Sequence, residues 1–448
     1  MSRIEPSAEG VTPQQREFGG AAGTLAILIA SHLFLYYLWL SLTYHRGAPF
    51  APQSLGDLGG FFQMCARQIA AGAAPSWHAA AIYLGFIAFE FVLAAIMPGV
   101  RIKGLPVRSE GGVRHTYLCN GAASWYVTLV VVAILHVSGW FRLDRIADEL
   151  GPLLTVAVLF ADGVAVAAYV LTIAAGRQVR MSGSVIYDFF MGAVLNPRVG
   201  AIDLKFFTEI RVSWILLFLL TLGAAAKQVA QTGSLSASMI FMIVAHGLYT
   251  NACMKGEECI PTTWDIFHEK WGWMLIFWNL VGVPWFYSFN AYYLVVADSR
   301  TPSAPIMTVL FVALLCAYYV WDTAQSQKNR FRMQERGSFI RRRTFPQLPW
   351  GTLKNPRFLT AAGGGTLLVD GWWAYARKIH YTADIVMASS WALCCGFGSP
   401  LPYIYPLFFF VMILHRARRD ETRCRAKYGA DWDRYLAAVP YRFIPFLI

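Results

Sequence analysis

The feature that most constrains this chain is a series of apolar runs, most of them close to the length that crosses a bilayer, which recurs almost from end to end. A helix needs about 20 apolar residues for that crossing. The runs lie at residues 20–44, 78–98, 117–140, 151–175, 212–231, 235–254, 271–297, 304–323, 382–399 and 401–415. Because lipid offers the backbone no hydrogen-bond partners, each run is predicted to be a helix. The sequence therefore predicts an all-α, polytopic membrane protein with about ten transmembrane helices.

Charged residues are scarce, and their balance is positive. They make up 14% of the chain, whereas soluble domains carry about 25%, which argues against a soluble helical protein with a very apolar core. The net charge of +12 would suggest nucleic acid as the partner of a soluble protein. In a membrane protein the positive-inside rule accounts for this charge. We therefore expect membrane lipid around the chain and no nucleic acid partner.

Basic residues favour one side of the predicted bundle. The loops after even-numbered runs carry most of them, as do the 324–381 loop and the C-terminal tail. Positive loops stay in the cytosol, so both termini are predicted to be cytosolic. The predicted organisation is a tail at 1–19, eight crossings at 20–323, and a loop, two crossings and a second tail at 324–448. The host membrane is expected to be the endoplasmic reticulum in a eukaryote or the inner membrane in a bacterium.

The eight cysteines form no recognisable metal or disulfide pattern. No two of them make a CxxC pair, and several lie inside apolar runs. Neither a zinc site nor a disulfide framework is therefore predicted. No GxGxxG segment follows a strand pattern, so a Rossmann site is not expected and a dinucleotide would have to bind in another way.

Two polar clusters flank the last two apolar runs. A Gly-Ser-Pro turn joins run 382–399 to run 401–415, so the chain is expected to return to the side that it left. The Trp/Arg/Lys/His/Tyr cluster before the runs and the Arg/Asp/Cys/Lys/Tyr cluster after them are therefore predicted to meet at one membrane face. Such a face can hold a large anionic ligand against a lipid-buried reaction centre.

A basic pair follows the eighth apolar run. If that helix continues past the bilayer, Lys328 and Arg332 lie one turn apart on one face. Arginine as a bidentate fork and lysine as a point charge can together clamp a phosphate. The alternative is a basic collar that attracts anionic lipid.

The C-terminal tail carries a second polar stripe. If the tail is helical, Asp420, Cys424, Lys427 and Tyr428 fall on one face. A carboxylate there can accept hydrogen bonds from ribose hydroxyls, while lysine and tyrosine donate to phosphate oxygens. A merely solvated, positive tail is the alternative.

A polar and aromatic loop joins the fourth and fifth runs, and it includes GSVIYDFFMGAVLNPR (183–198). Its charged residues are Asp188, Arg198, Lys205, Glu209 and Arg211. They either line a vestibule at the membrane edge or form internal ion pairs that brace the loop.

These motifs together resemble the sterol reductase family, multi-span NADPH-dependent enzymes that saturate sterol double bonds. The likeness extends from about residue 117 to the end, and the family fold is a bundle of about ten transmembrane helices. GSVIYDFFMGAVLNPR looks like the family's first signature, while HRARRDETRCRAKYG (415–429) and VPYRFIP (439–445) look like its C-terminal signature. The segments CIPTTWDIF (259–267), WMLIFWN (273–279) and GWWAYARKIHYTAD (371–384) are similar to the C24(28) sterol reductase branch.

The resemblance implies that NADPH binds within residues 324–448 and that the sterol-facing region lies within 20–323. The residues that it implies for NADPH are Lys328, Arg332, Leu368, Trp373, His380, Tyr381, Asp420, Cys424, Arg425, Ala426, Lys427, Tyr428 and Tyr435. These residues belong to the basic pair and to the two polar clusters that topology predicts at one face.

The implied reaction is reduction of a sterol double bond, C24(28) in the last step of ergosterol-type synthesis. An isolated alkene accepts hydride poorly, so a proton is expected to arrive first or together with the hydride. Tyr287, Asp265 and Glu258 are candidate proton donors, because the phenol lies in an apolar run and the carboxyls lie near its mouth. A structural hydrogen bond is the alternative for each of them.

Other functions stay open at this point. A C14 or C7 sterol reductase has related motifs, although His380 and the segment from Tyr287 to Asn290 depart from those branches. A membrane methyltransferase has a similar C-terminal architecture, but the many upstream crossings argue against it. A non-enzymatic, sterol-binding scaffold would bind sterol without oxidising NADPH.

Overall fold

A computed structural model describes residues 16–297, 301–340 and 344–447. The helices are α1 (Gly20–Tyr44), α2 (Leu58–Gly72), α3 (Trp77–Ile96), α4 (Gly121–Val137), α5 (Asp144–Asp148), α6 (Leu150–Ala174), α7 (Val185–Met191), α8 (Leu204–Phe207), α9 (Ser213–Thr232), α10 (Ala237–Lys255), α11 (Trp264–Phe267), α12 (Trp273–Phe277), α13 (Val283–Val296), α14 (Ala304–Glu335), α15 (Trp372–Tyr375), α16 (Ile379–Leu393), α17 (Ile404–Tyr428) and α18 (Ala430–Ala438). The helical fold that the apolar runs predict is confirmed.

Three short antiparallel hairpins lie among the helices in the described ranges. The strands are β1 (Val100–Lys103) paired with β2 (Thr116–Cys119), β3 (Arg198–Val199) with β4 (Ile202–Asp203), and β5 (Phe358–Thr360) with β6 (Thr366–Leu368). Each hairpin lies in a loop between helices, so the small strands do not change the helical class of the fold.

Six helical segments in the described part of the chain are long and apolar enough to cross a membrane. They are Gly20–Tyr44, Trp77–Ile96, Leu150–Ala174, Leu204–Thr232, Ala237–Lys255 and Ala304–Glu335. The protein is therefore an integral membrane protein, but the predicted number of about ten crossings is not confirmed. At the predicted seventh crossing, a π-helical segment (Trp278–Gly282) interrupts the helix, and at the predicted ninth crossing α16 has only 15 residues.

The chain divides into two compact units, Met1–Ser234 with Gly256–Val296 and Leu235–Lys255 with Ala297–Ile448. In the first unit, α9 packs against α13 and is the most buried of the candidate crossings, since 72% of the apolar window in Leu204–Thr232 is buried. The corresponding share is 28% for α3 and for α6. Helix α9 is therefore the centre of the first unit, and α3 and α6 leave broad apolar faces for lipid.

The loop of the first signature is anchored to the segment before α12 by two facing glycines. Gly192 ends α7 with a φ of 96°, in the left-handed region that glycine adopts without strain. A Cβ atom on Gly192 would lie 2.5 Å from the Gly272 nitrogen, and one on Gly272 would lie 2.1 Å from the Gly192 nitrogen. Next to them, the Trp271 N–H donates to the Val194 carbonyl oxygen at 2.7 Å. Both backbones can approach this closely only because neither residue has a side chain.

The second unit is built on α14, whose 32 residues pack against α16, α10 and α15. Lys255 at the end of α10 forms a buried ion pair with Asp322 of α14, with Nζ 2.8 Å from Oδ1. The Ser238 hydroxyl at the start of α10 donates to the Cys394 carbonyl oxygen beyond α16, at 2.7 Å. These contacts hold α10, α14 and α16 together as one bundle.

Candidate functional site

Helix α14 continues well beyond the apolar run that predicted it and ends at Glu335. Lys328 and Arg332 therefore lie one turn apart, as the sequence predicts. The Lys328 ammonium lies 4.1 Å from the centre of the Trp373 ring, and Arg332 Nη1 donates to Thr366 Oγ1 at 3.0 Å. The basic pair thus faces the segment that leads into α16.

The β5–β6 hairpin links the basic pair to the C-terminal tail, and the sequence analysis missed it. Leu368 packs with Phe331 of α14 and with Trp373. Its neighbour Leu367 packs with Trp432 and Tyr435 of α18. Adjacent strand residues point to opposite faces, so Leu368 packs with the group on α14 and Leu367 with the group on α18. The hairpin therefore lies between these two groups and contacts both. The glycine-rich turn at Gly363–Gly365, between the runs FLT and TLL, is the sequence signal that could have revealed it.

Three rings meet where α15 leads into α16. Trp373 is 2% exposed, and its indole N–H donates to the Ala324 carbonyl oxygen at 2.9 Å. The His380 ring centre lies 5.1 Å from that of Trp373 and 4.2 Å from that of Tyr381. His380 is buried, and its Nδ1 has no hydrogen-bond partner within the described ranges. A buried nitrogen without a partner is costly, and a ligand that supplies the missing hydrogen bond would remove that cost.

Helix α17 brings the tail cluster to the same end of α16. The Asp420 carboxylate forms an ion pair with Lys378, the residue just before α16. Both groups lie outside the predicted crossings. Burial alone would raise the pKa of Asp420, but the Lys378 ammonium holds it below its usual value. Asp420 is therefore an ionised hydrogen-bond acceptor at neutral pH.

One turn further along α17, Cys424 packs against the group formed by Leu367, Trp432 and Tyr435. Burial, helped by the Asp420 carboxylate, raises the pKa of the Cys424 thiol. Cys424 is therefore a neutral packing group and not a reactive thiolate. Tyr428 lies on the same face, and its ring stacks on that of Trp432 with centres 6.2 Å apart.

The remaining tail residues that the resemblance implies have exposed side chains. Arg425 pairs with Glu421 at 3.6 Å and with Asp433 at 3.3 Å. The Lys427 ammonium lies 4.8 Å from the centre of the Tyr428 ring, and Ala426 is also exposed. The structure thus brings Lys328, Trp373, His380, Tyr381 and Asp420 close to one another. Arg425, Ala426 and Lys427 lie at the edge of this group.

The three proton-donor candidates all lie in the first unit. Tyr287 is 6% exposed, with ring centres 6.2 Å from Trp214 and 6.1 Å from Trp278. Asp265 and Glu258 are partly buried. Their catalytic role stays a prediction. The fully buried carboxylate of that segment is Glu257, whose Oε1 lies 2.6 Å from Arg211 Nη2.

The charged loop between the fourth and fifth runs is braced by internal bonds. Asp188 accepts hydrogen bonds from the N–H groups of Ser182 and Gly183, at 2.9 Å and 3.1 Å. Lys205 is fully buried and donates to two backbone carbonyl oxygens, at 2.9 Å and 2.6 Å. Asp188 and Lys205 therefore brace the loop internally, which is one of the two functions that the sequence leaves open.

A buried acid and phenol in the second unit were missed by the sequence analysis. Asp384 lies one helical turn after His380, is 8% exposed, and its carboxyl is hydrogen-bonded to the Tyr249 hydroxyl of α10. The Tyr249 ring also stacks on Trp321, with centres 4.9 Å apart. An acidic residue inside an apolar run is costly in lipid and is functional by default, and this rule could have identified Asp384.

Comparison with known proteins identifies the family. The family model described as "Ergosterol biosynthesis ERG4/ERG24 family" matches residues 12–448. The chain belongs to this family of sterol reductases. This sterol reductase is thus assigned to the family that its motifs resemble, and its activity is that of an oxidoreductase.

Two fungal sterol reductases are similar to this chain over almost its whole length. The chain is 44% identical to the Delta(24(24(1)))-sterol reductase erg4A of Aspergillus fumigatus, over 99% of this chain and 95% of that protein. It is 46% identical to the Delta(24(24(1)))-sterol reductase of Gibberella zeae, over 96% of this chain and 73% of that protein. A bacterial relative, the Delta(14)-sterol reductase of Methylotuvimicrobium alcaliphilum, is 35% identical over 96% of both chains.

Proposed function

We propose that this sterol reductase uses NADPH to reduce the C24(28) double bond of a sterol. The carbon numbered C28 is also numbered C24(1), so this is the bond in the names of the two fungal relatives. The Delta(14)-sterol reductase is the more distant relative, at 35% against 44–46% identity. The observation that carries the cofactor assignment is the meeting of Lys328, Arg332, Trp373 and His380 at one end of α16.

The residues of this group fit a pyridine nucleotide. Arg332 and Lys328 supply positive charge for phosphate oxygens. The Asp420 carboxylate accepts hydrogen bonds from ribose hydroxyls, and Trp373 offers an aromatic face. The buried Nδ1 of His380 gains a hydrogen-bond partner when a polar ligand is bound. This combination of cations, a carboxylate and rings supports NADPH and explains why no Rossmann motif is needed.

The chemistry that NADPH supplies when bound is a hydride for the alkene carbon C24. The chain must deliver the matching proton to C28, exclude water and hold the sterol in place. Protonation of the terminal methylene leaves a tertiary cation at C24, which water would trap in an open site. The buried ring of Trp373 and the partly buried ring of Tyr381 exclude water and stabilise positive charge with their faces.

Tyr249 and Asp384 form the most suitable proton-donor pair of the second unit. The phenol has a proton to give, and the carboxyl to which it is hydrogen-bonded can orient it and supply a replacement. Asp384 follows His380 by one turn of α16, which puts the pair close to the implied cofactor residues. Tyr287, Asp265 and Glu258 remain the alternative donors from the first unit.

A product assay tests the proposed function. Purified protein in detergent should be incubated with NADPH and sterols that carry a C24(28), C14 or C7 double bond, with products read by mass spectrometry. We expect only the C24(28) bond to be reduced. Reduction at C14 or C7 would reassign the substrate, and sterol binding without oxidation of NADPH would support a scaffold. In a parallel incubation with a methyl-donor cofactor in place of NADPH, methyl transfer would support a methyltransferase.

Conservative substitutions separate the proton-donor candidates. Tyr249→Phe and Asp384→Asn should abolish turnover and leave the Kd for NADPH unchanged, because each removes a proton and keeps the shape. Tyr287→Phe is the comparison in the first unit. Full activity of Tyr249→Phe, together with loss of activity in Tyr287→Phe, would indicate that the proton donor is Tyr287 of the first unit.

The proposed orientation places both termini in the cytosol, because the loops that carry most of the basic residues are expected to stay on that side. In a eukaryote the host membrane would be the endoplasmic reticulum, and in a bacterium the inner membrane. Cysteine labelling at the N-terminal tail and in the exposed part of α17 with an impermeant reagent tests this. Labelling from the external or lumenal side would reverse the orientation.

A further inference from the structure

The C-terminal signature VPYRFIP (439–445) has no role in the mechanism proposed above. Its first residues lie against the start of α16, where Arg377 donates hydrogen bonds to them. The Arg377 Nη1 group donates to the carbonyl oxygens of Val439 and Pro440, at 2.6 Å and 2.7 Å. The Arg377 backbone N–H donates to the Tyr441 carbonyl oxygen at 3.0 Å. Arg377 is buried, so these bonds lie in an environment of low dielectric constant that strengthens them.

Two more bonds extend this contact along the same segment. The Lys378 N–H donates to the Arg442 carbonyl oxygen at 2.8 Å, and the Thr382 hydroxyl donates to the Phe443 carbonyl oxygen at 2.7 Å. Every carbonyl oxygen of residues 439–443 thus accepts a bond from the start of α16. We call residues 439–443 the C-terminal brace. A segment that is bonded at each of its residues has a single register on α16.

The C-terminal brace also contacts the two helices that follow α16. The Arg442 guanidinium forms an ion pair with Glu421 of α17, the residue next to Asp420. Val439 is fully buried and packs with Tyr435 of α18. The C-terminal brace therefore fixes the start of α16 relative to α17 and α18.

The pair that this arrangement brings together is Lys378 and Asp420. Lys378 comes just before α16 and Asp420 lies on α17, so their ion pair depends on how the two elements are placed. The sequence neighbours of the pair, Arg377 and Glu421, are both bonded to the C-terminal brace. The Asp420 side chain is 35% exposed, so a ligand can reach it. The brace thus holds an accessible carboxylate beside its cation.

We propose that Arg377 and the C-terminal brace are positioning elements of the cofactor site, which hold Lys378 beside Asp420 and so keep the Asp420 carboxylate ionised for the ribose hydroxyls of NADPH. The proposal rests on the proposed function, because that function gives Asp420 its ligand. Arg377 itself touches neither sterol nor nucleotide and acts through Lys378. Without its side chain the start of α16 loses two of the bonds that fix it.

The charge of Asp420 provides a readout that a merely structural brace would not change. Burial raises the pKa of Asp420, and Lys378 lowers it more than the other cations do. When Lys378 moves away, this pKa rises and the carboxylate takes up its proton at a higher pH. The affinity for NADPH is then lost at a higher pH on acidification. The groups that interact electrostatically with Asp420 are Lys378, Lys328, Arg423, Tyr381, Cys424 and Tyr435.

Calorimetric titration of the full-length protein with NADPH at a series of pH values, without sterol, tests the proposal. Arg377→Met should raise the Kd at neutral pH about tenfold, the lower end of the effect of one hydrogen bond to a charged group. It should also shift the acid loss of affinity to higher pH, and Lys378→Met should give the same shift because it removes the cation. Arg418→Met is the matched control, because Arg418 is an exposed arginine of α17, and it should change neither quantity. Protonation of the NADPH phosphates is common to all variants and cancels in the comparison.

An unchanged Kd and pH profile in Arg377→Met would overturn the proposal. A raised Kd without a shift of the pH profile would also overturn it, because that result indicates general loosening of the fold. Thr382→Val carries the test if Arg377→Met does not fold, since it removes only the bond to the Phe443 carbonyl oxygen. It should raise the Kd about threefold with a smaller shift in the same direction, and no change would overturn the proposal. Absence of NADPH binding by the unsubstituted protein would refute the proposed function together with the positioning, whereas normal binding that Arg377→Met leaves unchanged refutes only the positioning.

Discussion

The two nucleotides NADPH and NADH differ by one phosphate, and Arg332 is predicted to distinguish between them. Its Nη1 donates to Thr366, and the residue follows Lys328 by one turn of α14. A hydrogen bond to a charged group contributes about 1.5–3 kcal/mol, and about 1.4 kcal/mol is a factor of ten in Kd. Arg332→Ala should therefore raise the Kd for NADPH roughly 10- to 150-fold. The Kd for NADH should change little if the lost partner is the 2′-phosphate.

Calorimetric titration of the purified protein with each nucleotide, at one fixed salt concentration, measures this. Arg330→Ala is the matched control, since it removes the same charge two residues earlier, from a side chain that donates to Thr352. Thr366→Val removes only the bond between Arg332 and the hairpin. Equal losses of affinity for NADPH and NADH in Arg332→Ala would indicate that Arg332 contacts the pyrophosphate, which both nucleotides contain. An effect of Arg330→Ala or Thr366→Val as large as that of Arg332→Ala would refute direct recognition.

Three further predictions concern stability, each read from the melting temperature in detergent. Gly192→Ala should lower the free energy of unfolding by at least about 2 kcal/mol, because the new Cβ would lie 2.5 Å from the Gly272 nitrogen and the residue has a left-handed φ. An unchanged melting temperature would contradict this. Glu257→Gln should lower the free energy of unfolding by about 3–5 kcal/mol, since it removes the carboxylate that neutralises the buried Arg211 guanidinium and leaves Nη2 bonded to the neutral Asn120 amide oxygen. Replacing both Glu257 and Arg211 by apolar residues should recover most of this loss, and no recovery would contradict the reasoning. Because the pKa of Asp420 is lowered in the folded state, its stabilising effect is present above the unfolded-state value and is lost as the pH falls through the folded-state value. The melting temperature of Asp420→Asn should therefore fall less steeply with decreasing pH than that of the unsubstituted protein. An unchanged dependence of the melting temperature on pH would contradict this.

Much of the helical framework could be predicted from local patterns. The continuation of α14 through Lys328 and Arg332 follows from spacing alone, and so does the stripe of α17 that carries Asp420 and Cys424. The meeting of the two polar clusters follows from the turn between α16 and α17. These predictions succeeded because they depend on residues that are close in the sequence.

Long-range partners could not be predicted in this way. The bond between Tyr249 and Asp384 depends on how α10 packs against α16, and no local pattern encodes that packing. Glu257 and Glu258 are adjacent acids, and only the register of the 3₁₀ segment Glu257–Thr262 decides that Glu257 meets Arg211. The number of crossings could not be predicted either, because the π-helical segment Trp278–Gly282 divides one apolar run into α12 and α13, each shorter than the about 20 residues that a crossing needs.

The β5–β6 hairpin makes the second unit sensitive to loop length. Leu367 and Leu368 are neighbours on one strand, yet one packs with Trp432 and Tyr435 and the other with Phe331 and Trp373. Insertion of a single glycine in the preceding turn would shift the register by one residue and exchange the faces of the two leucines. Both packing groups would then lose their contacts together, with no change to any charged or aromatic side chain.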